Sequence, residues 1–210
     1  EHMVECLEQH PEADMVYTNG VYGDGSTRYK RDISCHKMKK IYEQCPPSGS
    51  NLFVQLYERD FISAPAVMLR RSVYNKIGLY DENIAVEDWD CYIRIALHGE
   101  IVYVDTCTVM YRILQTSLSH SVSFQKRILM KKSELLLLEK YKDCAGVSGR
   151  ERIEKSYNEA ISDACHIGDR DYMLFLKIYR KRNRIHISMR NCIKYIFYTM
   201  GGFRWCGKSK

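Results

Sequence analysis

Glu87-Asp88-Trp89-Asp90 places three carboxylates within four residues, at what the downstream pattern marks as the first turn of a helix. The unpaired N–H groups and partial positive charge of a helix N-terminus favour the ionised form of carboxylates there. An ionised carboxylate on a fixed element can act as a general base, taking the proton from a hydroxyl as its oxygen attacks an electrophile. The same acids also complement a helix dipole with no further role, and their spelling alone leaves both readings open.

The elements that must hold these acids are readable around them. Trp89, Tyr92, Ile93, Ala96 and Leu97 recur at i, i+3, i+4, i+7 and i+8, one apolar face, and Gly99 closes the helix after His98. Because Trp89 begins that stripe, it reads first as an anchor. Ahead of it, Ser72 stands at an N-cap position, Val73, Ile77 and Leu79 form a short stripe, and Gly78 falls at C′. Ala66 to Leu69 predicts a compact strand introduced by Pro65, and Asn51 to Tyr57 a short amphipathic helix.

Further upstream, a helix to His10 ends ahead of Pro11, and a strand over Ala13 to Thr18 stops at a turn at Asn19-Gly20. Gly23 to Ser50 reads as a surface excursion with a weak helical patch at Met38 to Gln44. Downstream, strands are predicted at Ile101 to Val104 and Thr108 to Ile113. Helices follow at Ile128 to Tyr141, Glu151 to His166 and Tyr172 to Tyr179, with breaks at Gly146, Gly149 and Gly168. The expected class is α/β over residues 1–122, followed by an α-helical region over 123–210.

The chain of 210 residues is 45% hydrophobic, enough for one sizeable core and a helical appendage. Its nine cysteines include no C-x-x-C pair and no metal-ligand spacing, which predicts reduced, mostly buried thiols in a cytosolic protein and no structural zinc. Leu176 to Lys210 holds ten Lys or Arg and no Asp or Glu, so the net charge of +6 minus these ten leaves −4 for the rest. That basic tail is interleaved with aromatic residues, as in Tyr195-Ile196-Phe197-Tyr198. It fits a peripheral membrane contact and equally a helix packed on the core with its charges solvated. No nucleic-acid-binding motif accompanies it, and nucleic acid is not an expected partner. No apolar run reaches the roughly 20 residues needed to span a bilayer. The text opens on Glu1 in helical character, with Met3, Val4 and Leu7 at helical spacing, which predicts a fragment of a longer protein.

The run from Ser63 to Gly99 resembles the C-terminal core of family 2 glycosyltransferases, inverting enzymes of GT-A type. The parts that carry the resemblance are Arg70-Arg71-Ser72-Val73, the turn from Ile77 to Glu82, Glu87 to Asp90, His98-Gly99 and finally Tyr111-Arg112, in that order. The resemblance spans about Pro11 to Ser119. It implies a partial GT-A mixed sheet and transfer of a sugar from a nucleoside-diphosphate sugar to a glycan or lipid-linked acceptor hydroxyl.

Under that resemblance Asp88 is the catalytic base, and Glu87 orients it or holds the acceptor. Trp89 faces the sugar or anchors the helix, and Arg112 is a candidate cation for the departing diphosphate. Asp88-Trp89-Asp90 has the D-x-D spelling of the family's metal motif. That motif belongs to an earlier strand, so the ligands of a divalent Mg or Mn are expected upstream of Glu1. Many relatives carry a histidine two positions after Tyr-Arg, where this chain has Leu114; His120 nearby either substitutes or is an exposed loop residue. The resemblance further implies a cytoplasmic enzyme, possible contact with the inner face of a membrane, and a fragment inactive by itself whose uncovered strand edges favour a homo-dimer. The competing reading is a non-catalytic module that keeps the fold and docks on a membrane or partner.

Overall fold

The Val and Tyr residues that predict a strand after Pro11 form the middle of a three-stranded mixed sheet. The computed structural model describes residues 2–23, 40–49, 52–112 and 123–199, in two units, Glu1–Val122 and Ser123–Lys210. In the first unit α1 (His2–Gln9) leads into β1 (Met15–Gly23). β1 pairs antiparallel with β2 (Val67–Leu69) on one side and parallel with β3 (Ile101–Arg112) on the other. Strands on both flanks bury Met15 to Val21 throughout. The class is mixed α/β. Among the described residues no strand lies on the outer edge of β2.

Asn19-Gly20 is not the turn that the dipeptide predicts. β1 runs through it, and the register against β3 slips there: Thr18 faces Val104, Asn19 faces Cys107 and Gly20 faces Val109. The extra residues on β3 are absorbed as a bulge, so the two strands predicted at 101–104 and 108–113 are one. Gly20 is required by close approach rather than by turn geometry. A Cβ there would stand 2.7 Å from Val109 Cγ2 and 2.8 Å from the Val109 carbonyl oxygen.

Asn19 turns its amide to the returning excursion, with Nδ2 donating to the Tyr42 carbonyl at 2.9 Å and Oδ1 accepting from the Tyr42 N–H at 3.1 Å. Ile41 N–H donates to the Gly20 carbonyl at 2.9 Å, so residues 40–44 run beside β1 and are not helical. The weak helical propensity predicted for this patch yields to these long-range hydrogen bonds. The rest of the predicted patch, Met38 and Lys39, lies outside the described residues.

The other elements of the first unit are α2 (Phe53–Glu58), a 3-10 turn at Ala64–Ala66, α3 (Val73–Ile77) and α4 (Glu87–His98). Gly78 closes α3 at φ +77°, as its C′ position predicts, whereas the Ser72 side chain makes no capping bond because Ser72 itself is already helical in φ and ψ. Several residues of the run Ser63 to Gly99 have structural duties at the α1–β1 junction. Arg70 donates through Nε to the Ala13 carbonyl at 2.8 Å and through Nη2 to the carbonyls of Leu7 and His10, closing α1. Lys76 grips Asp14 at 2.8 and 3.1 Å.

Gly99 leaves room for that carboxylate, since a Cβ at residue 99 would lie 1.9 Å from Asp14 Oδ2. Gly99→Ala must displace Asp14 from Lys76 or shift the end of α4. We expect a loss of about 2 kcal/mol, in the range of overpacked sites, read by urea denaturation. Unchanged stability would mean that Asp14 moves freely.

The second unit is helical: α5 (Phe124–Ile167), α6 (Arg170–Asn183) and α7 (Met189–Thr199). α5 breaks at Gly146, where φ is 62° and ψ −134°, and its halves fold back on each other. Lys131 meets Glu159 at 3.1 Å, Glu134 meets Arg152 at 2.9 Å, and Arg127 meets Asp163 at 2.9 Å, pairs that step in opposite directions from the break. Gly149, predicted as a break, is helical and buried instead. A Cβ there would reach the Lys142 carbonyl at 2.6 Å, so glycine serves close approach of the two halves.

Tyr157 and Tyr179 stack with centroids 6.3 Å apart, and their hydroxyls donate to the carbonyls of Leu176 and Leu135. Among the described residues no helix is long and apolar enough to cross a membrane. The seven described cysteines are free thiols, but only Cys91 is buried; Cys45 and Cys144 are exposed, which corrects the expectation of mostly buried thiols.

Candidate functional site

The helix that carries the three carboxylates is fixed at its first turn by tryptophan. Trp89 is 5% exposed, and its Nε1–H donates to the Leu56 carbonyl of α2 at 2.6 Å. This places Trp89 in the core as an anchor and removes it from the sugar-facing role. One residue on, the other end of the D-x-D spelling is also structural: Asp90 is fully buried and accepts from Arg94 Nε at 2.8 Å. Arg94 Nη1 reaches the Ile77 and Gly78 carbonyls, tying α4 to the turn after α3. Asp90 is thereby committed to the protein.

Asp88 has a different environment. It is half-buried, and among the described residues no ion pair holds it. Its Oδ1 accepts the Trp89 N–H at 2.8 Å, so the carboxylate faces the unpaired donors of its own helix start. Burial raises its pKa above the ordinary carboxylate range and the charge of Glu87 adds to the rise, against the lowering from backbone N–H groups. Glu87 itself is exposed beside it.

A second carboxyl, Asp60, completes the site. Because Trp89 docks on Leu56, the residues just after α2 come alongside the first turn of α4. Burial pushes the Asp60 pKa up to about 7, with the Asp88 charge adding to it and the Ile62 N–H opposing. Asp60 nevertheless keeps an exposed surface. The loop after Asp60 is held by Tyr42, whose hydroxyl donates to the Phe61 carbonyl at 2.8 Å and accepts from the Ser63 N–H at 2.9 Å.

Tyr42 is itself held by Asn19, and Tyr17 meets Tyr42, Phe61 and Tyr103 with ring centroids 5.8, 6.3 and 5.1 Å away. Tyr92, buried on α4, is raised by burial first and then by the charges of Asp88 and Asp60, which puts its ring within electrostatic reach of both. The arrangement can accept a proton at Asp88, with Glu87 as the neighbouring charge that strengthens its hold on that proton.

Of the residues chosen from sequence, the structure therefore brings Asp88 and Glu87 together. Arg112 ends β3, exposed and opposite Gly23, and no contact among the described residues joins it to Asp88. His120 and Leu114 lie outside the described residues. Asp60 and Tyr42 were not selected, since a lone Asp after a short helix and a lone Tyr in an excursion carry no local pattern. The described residues contain no group of three His, Cys, Asp or Glu placed to hold a metal ion. Two cavities, of about 210 and 500 Å³, are lined by residues of the second unit rather than by this carboxyl pair. No protein-family model matches this sequence, and comparisons with curated proteins and with solved structures give no match.

Proposed function

We propose that the first unit is the acceptor-side half of an inverting glycosyltransferase, with Asp88 as general base. The observation that carries the reading is the contrast within one helical turn. Asp90 is buried in an ion pair, while Asp88, two residues earlier, is half-buried, outside any ion pair among the described residues and raised in proton affinity. In the reaction, Asp88 takes the proton of an acceptor hydroxyl. That oxygen bonds to the anomeric carbon of the donor, and the bond from that carbon to the nucleoside diphosphate breaks with its electron pair leaving on the diphosphate. Glu87 raises the base strength of Asp88 through its charge. The divalent metal implied by the family resemblance finds no ligand set among the described residues, and no step is derived through it.

The test is made on the full-length protein with a panel of nucleoside-diphosphate sugars and glycan acceptors, following diphosphate release and the anomeric configuration of the product. Release with inversion is expected. Asp88 must be ionised to act, so kcat/KM is lost as pH falls through its raised pKa, above the usual value of about 4. Glu87→Gln removes the negative neighbour that raises Asp88 and moves this acid limb to lower pH. Failure of every donor to release diphosphate, or a product of retained configuration, would defeat the proposal.

A further inference from the structure

The helix α7 turns an apolar face outward. Met189, Ile193 and Ile196 stand at i, i+4 and i+7 and are 82%, 51% and 51% exposed. The opposite face is held against α5 by polar groups. Asn191 is buried, and its Nδ2 donates to the Asn158 carbonyl at 2.7 Å and to Asn158 Oδ1 at 3.0 Å. The Ser188 N–H donates to the same Oδ1 at 2.9 Å, and Lys194 Nζ to Ser162 Oγ at 2.7 Å. A surface helix ordinarily buries its apolar stripe. Here directed hydrogen bonds hold the stripe in solvent, so its exposure is specified by the sequence and is not a loosely packed end.

The charge beside the stripe indicates what covers it. Arg190 is exposed next to Met189, and from Tyr172 to Lys210 the sequence contains no acidic residue. An open cavity of about 500 Å³ borders α7, lined by Lys155, Arg190, Lys194 and Ser188. Glu159 and Asp163 also line it, but they are paired with Lys131 and Arg127 at 3.1 and 2.9 Å, leaving the three cations as the uncompensated charge. An apolar strip flanked by cations matches the boundary of an anionic bilayer, with acyl chains below and phosphates at the level of the basic groups. The exposed pair Leu174 and Ile178 on α6 lacks this form, because Lys177 and Lys181 interleave with it.

We infer that α7 is an interfacial helix that docks the second unit on an anionic lipid surface, with Met189, Ile193 and Ile196 entering the headgroup boundary and Arg190 and Lys155 meeting lipid phosphates. This inference does not depend on glycosyl transfer.

The whole chain is sedimented with vesicles of phosphatidylcholine, with and without phosphatidylglycerol. It pellets with the anionic vesicles, stays in solution with phosphatidylcholine alone, and is released as salt is raised. Met189→Ser/Ile193→Ser/Ile196→Ser weakens partitioning by at least about tenfold, and Arg190→Glu by roughly tenfold. Leu174→Ser/Ile178→Ser pellets as the parent does. All these positions are exposed, and unchanged helical circular dichroism verifies that the variants fold. Failure of the parent to pellet with anionic vesicles overturns the inference, as does a triple variant that pellets equally well. A dimer in light scattering that the triple variant dissociates, without vesicle binding by the parent, assigns the stripe to a second copy and overturns it too.

Discussion

Asp88→Asn in the full-length protein lowers turnover by roughly 10²- to 10⁴-fold, the range contributed by a positioned general base, and leaves sugar-nucleotide affinity nearly unchanged. The substitution is close to isosteric, and the amide oxygen can still accept the Trp89 N–H that Asp88 Oδ1 accepts at 2.8 Å, so the helix start is retained. It removes only the charge and the proton affinity. Were Asp88 there to complement the helix dipole alone, the same change would cost about 0.3–1 kcal/mol of stability and leave turnover intact. The two roles therefore move different readouts. Burial penalises the ionised form of Asp88, so the Asn variant is expected to match or exceed the parent in thermal stability at neutral pH. Residual turnover that disappears on adding Asp60→Asn would transfer the base to Asp60; undiminished turnover in Asp88→Asn would end the assignment.

The residues that carry the family resemblance divide into two kinds once their contacts are known. Arg70, Lys76 and Gly99 organise the α1–β1 junction around Asp14, and Asp90 with Arg94 fixes α4 to the turn after α3. Asp88 and Glu87 show no such tie among the described residues, and neither do the exposed Arg71, Glu82, His98 and Arg112; of these six only Asp88 is half-buried.

Local periodicity explains what could be read from the sequence. The stripe from Trp89 to Leu97 lies on one helix face and the glycine at 99 ends it, so the position of Asp88 at a helix start follows from the spacing of its neighbours alone. Asp60 could not be found in this way. It reaches Asp88 because Trp89 donates to the Leu56 carbonyl, a contact 33 residues apart in sequence. Asn19-Gly20 misled for the same reason. The dipeptide is a turn signal in isolation, but Tyr42 claims the Asn19 amide and Val109 needs the space at Gly20, so the chain stays extended through a bulge. The apparent gap near Asp105 is the other half of that bulge.

Arg94→Ala has the largest expected effect on stability, a loss of about 3–5 kcal/mol in urea denaturation, because it strips the cation from a fully buried carboxylate. Desolvating both ions offsets much of what their attraction contributes, and Arg94 Nη2 is itself buried without a hydrogen-bond partner among the described residues. The pair is thus better understood as fixing geometry than as a net source of stability. That view makes a second, opposite expectation. Asp90→Leu/Arg94→Met, which replaces both ions with apolar side chains, recovers most of the loss seen in Arg94→Ala. Its helix α4 is then no longer tied through Arg94 to the Ile77 and Gly78 carbonyls, and the first turn bearing Asp88 gains freedom. A double variant that is stable yet slow in transfer, with its acid limb moved, assigns the pair to positioning Asp88. One that is stable and fully active would reduce the pair to a replaceable packing element.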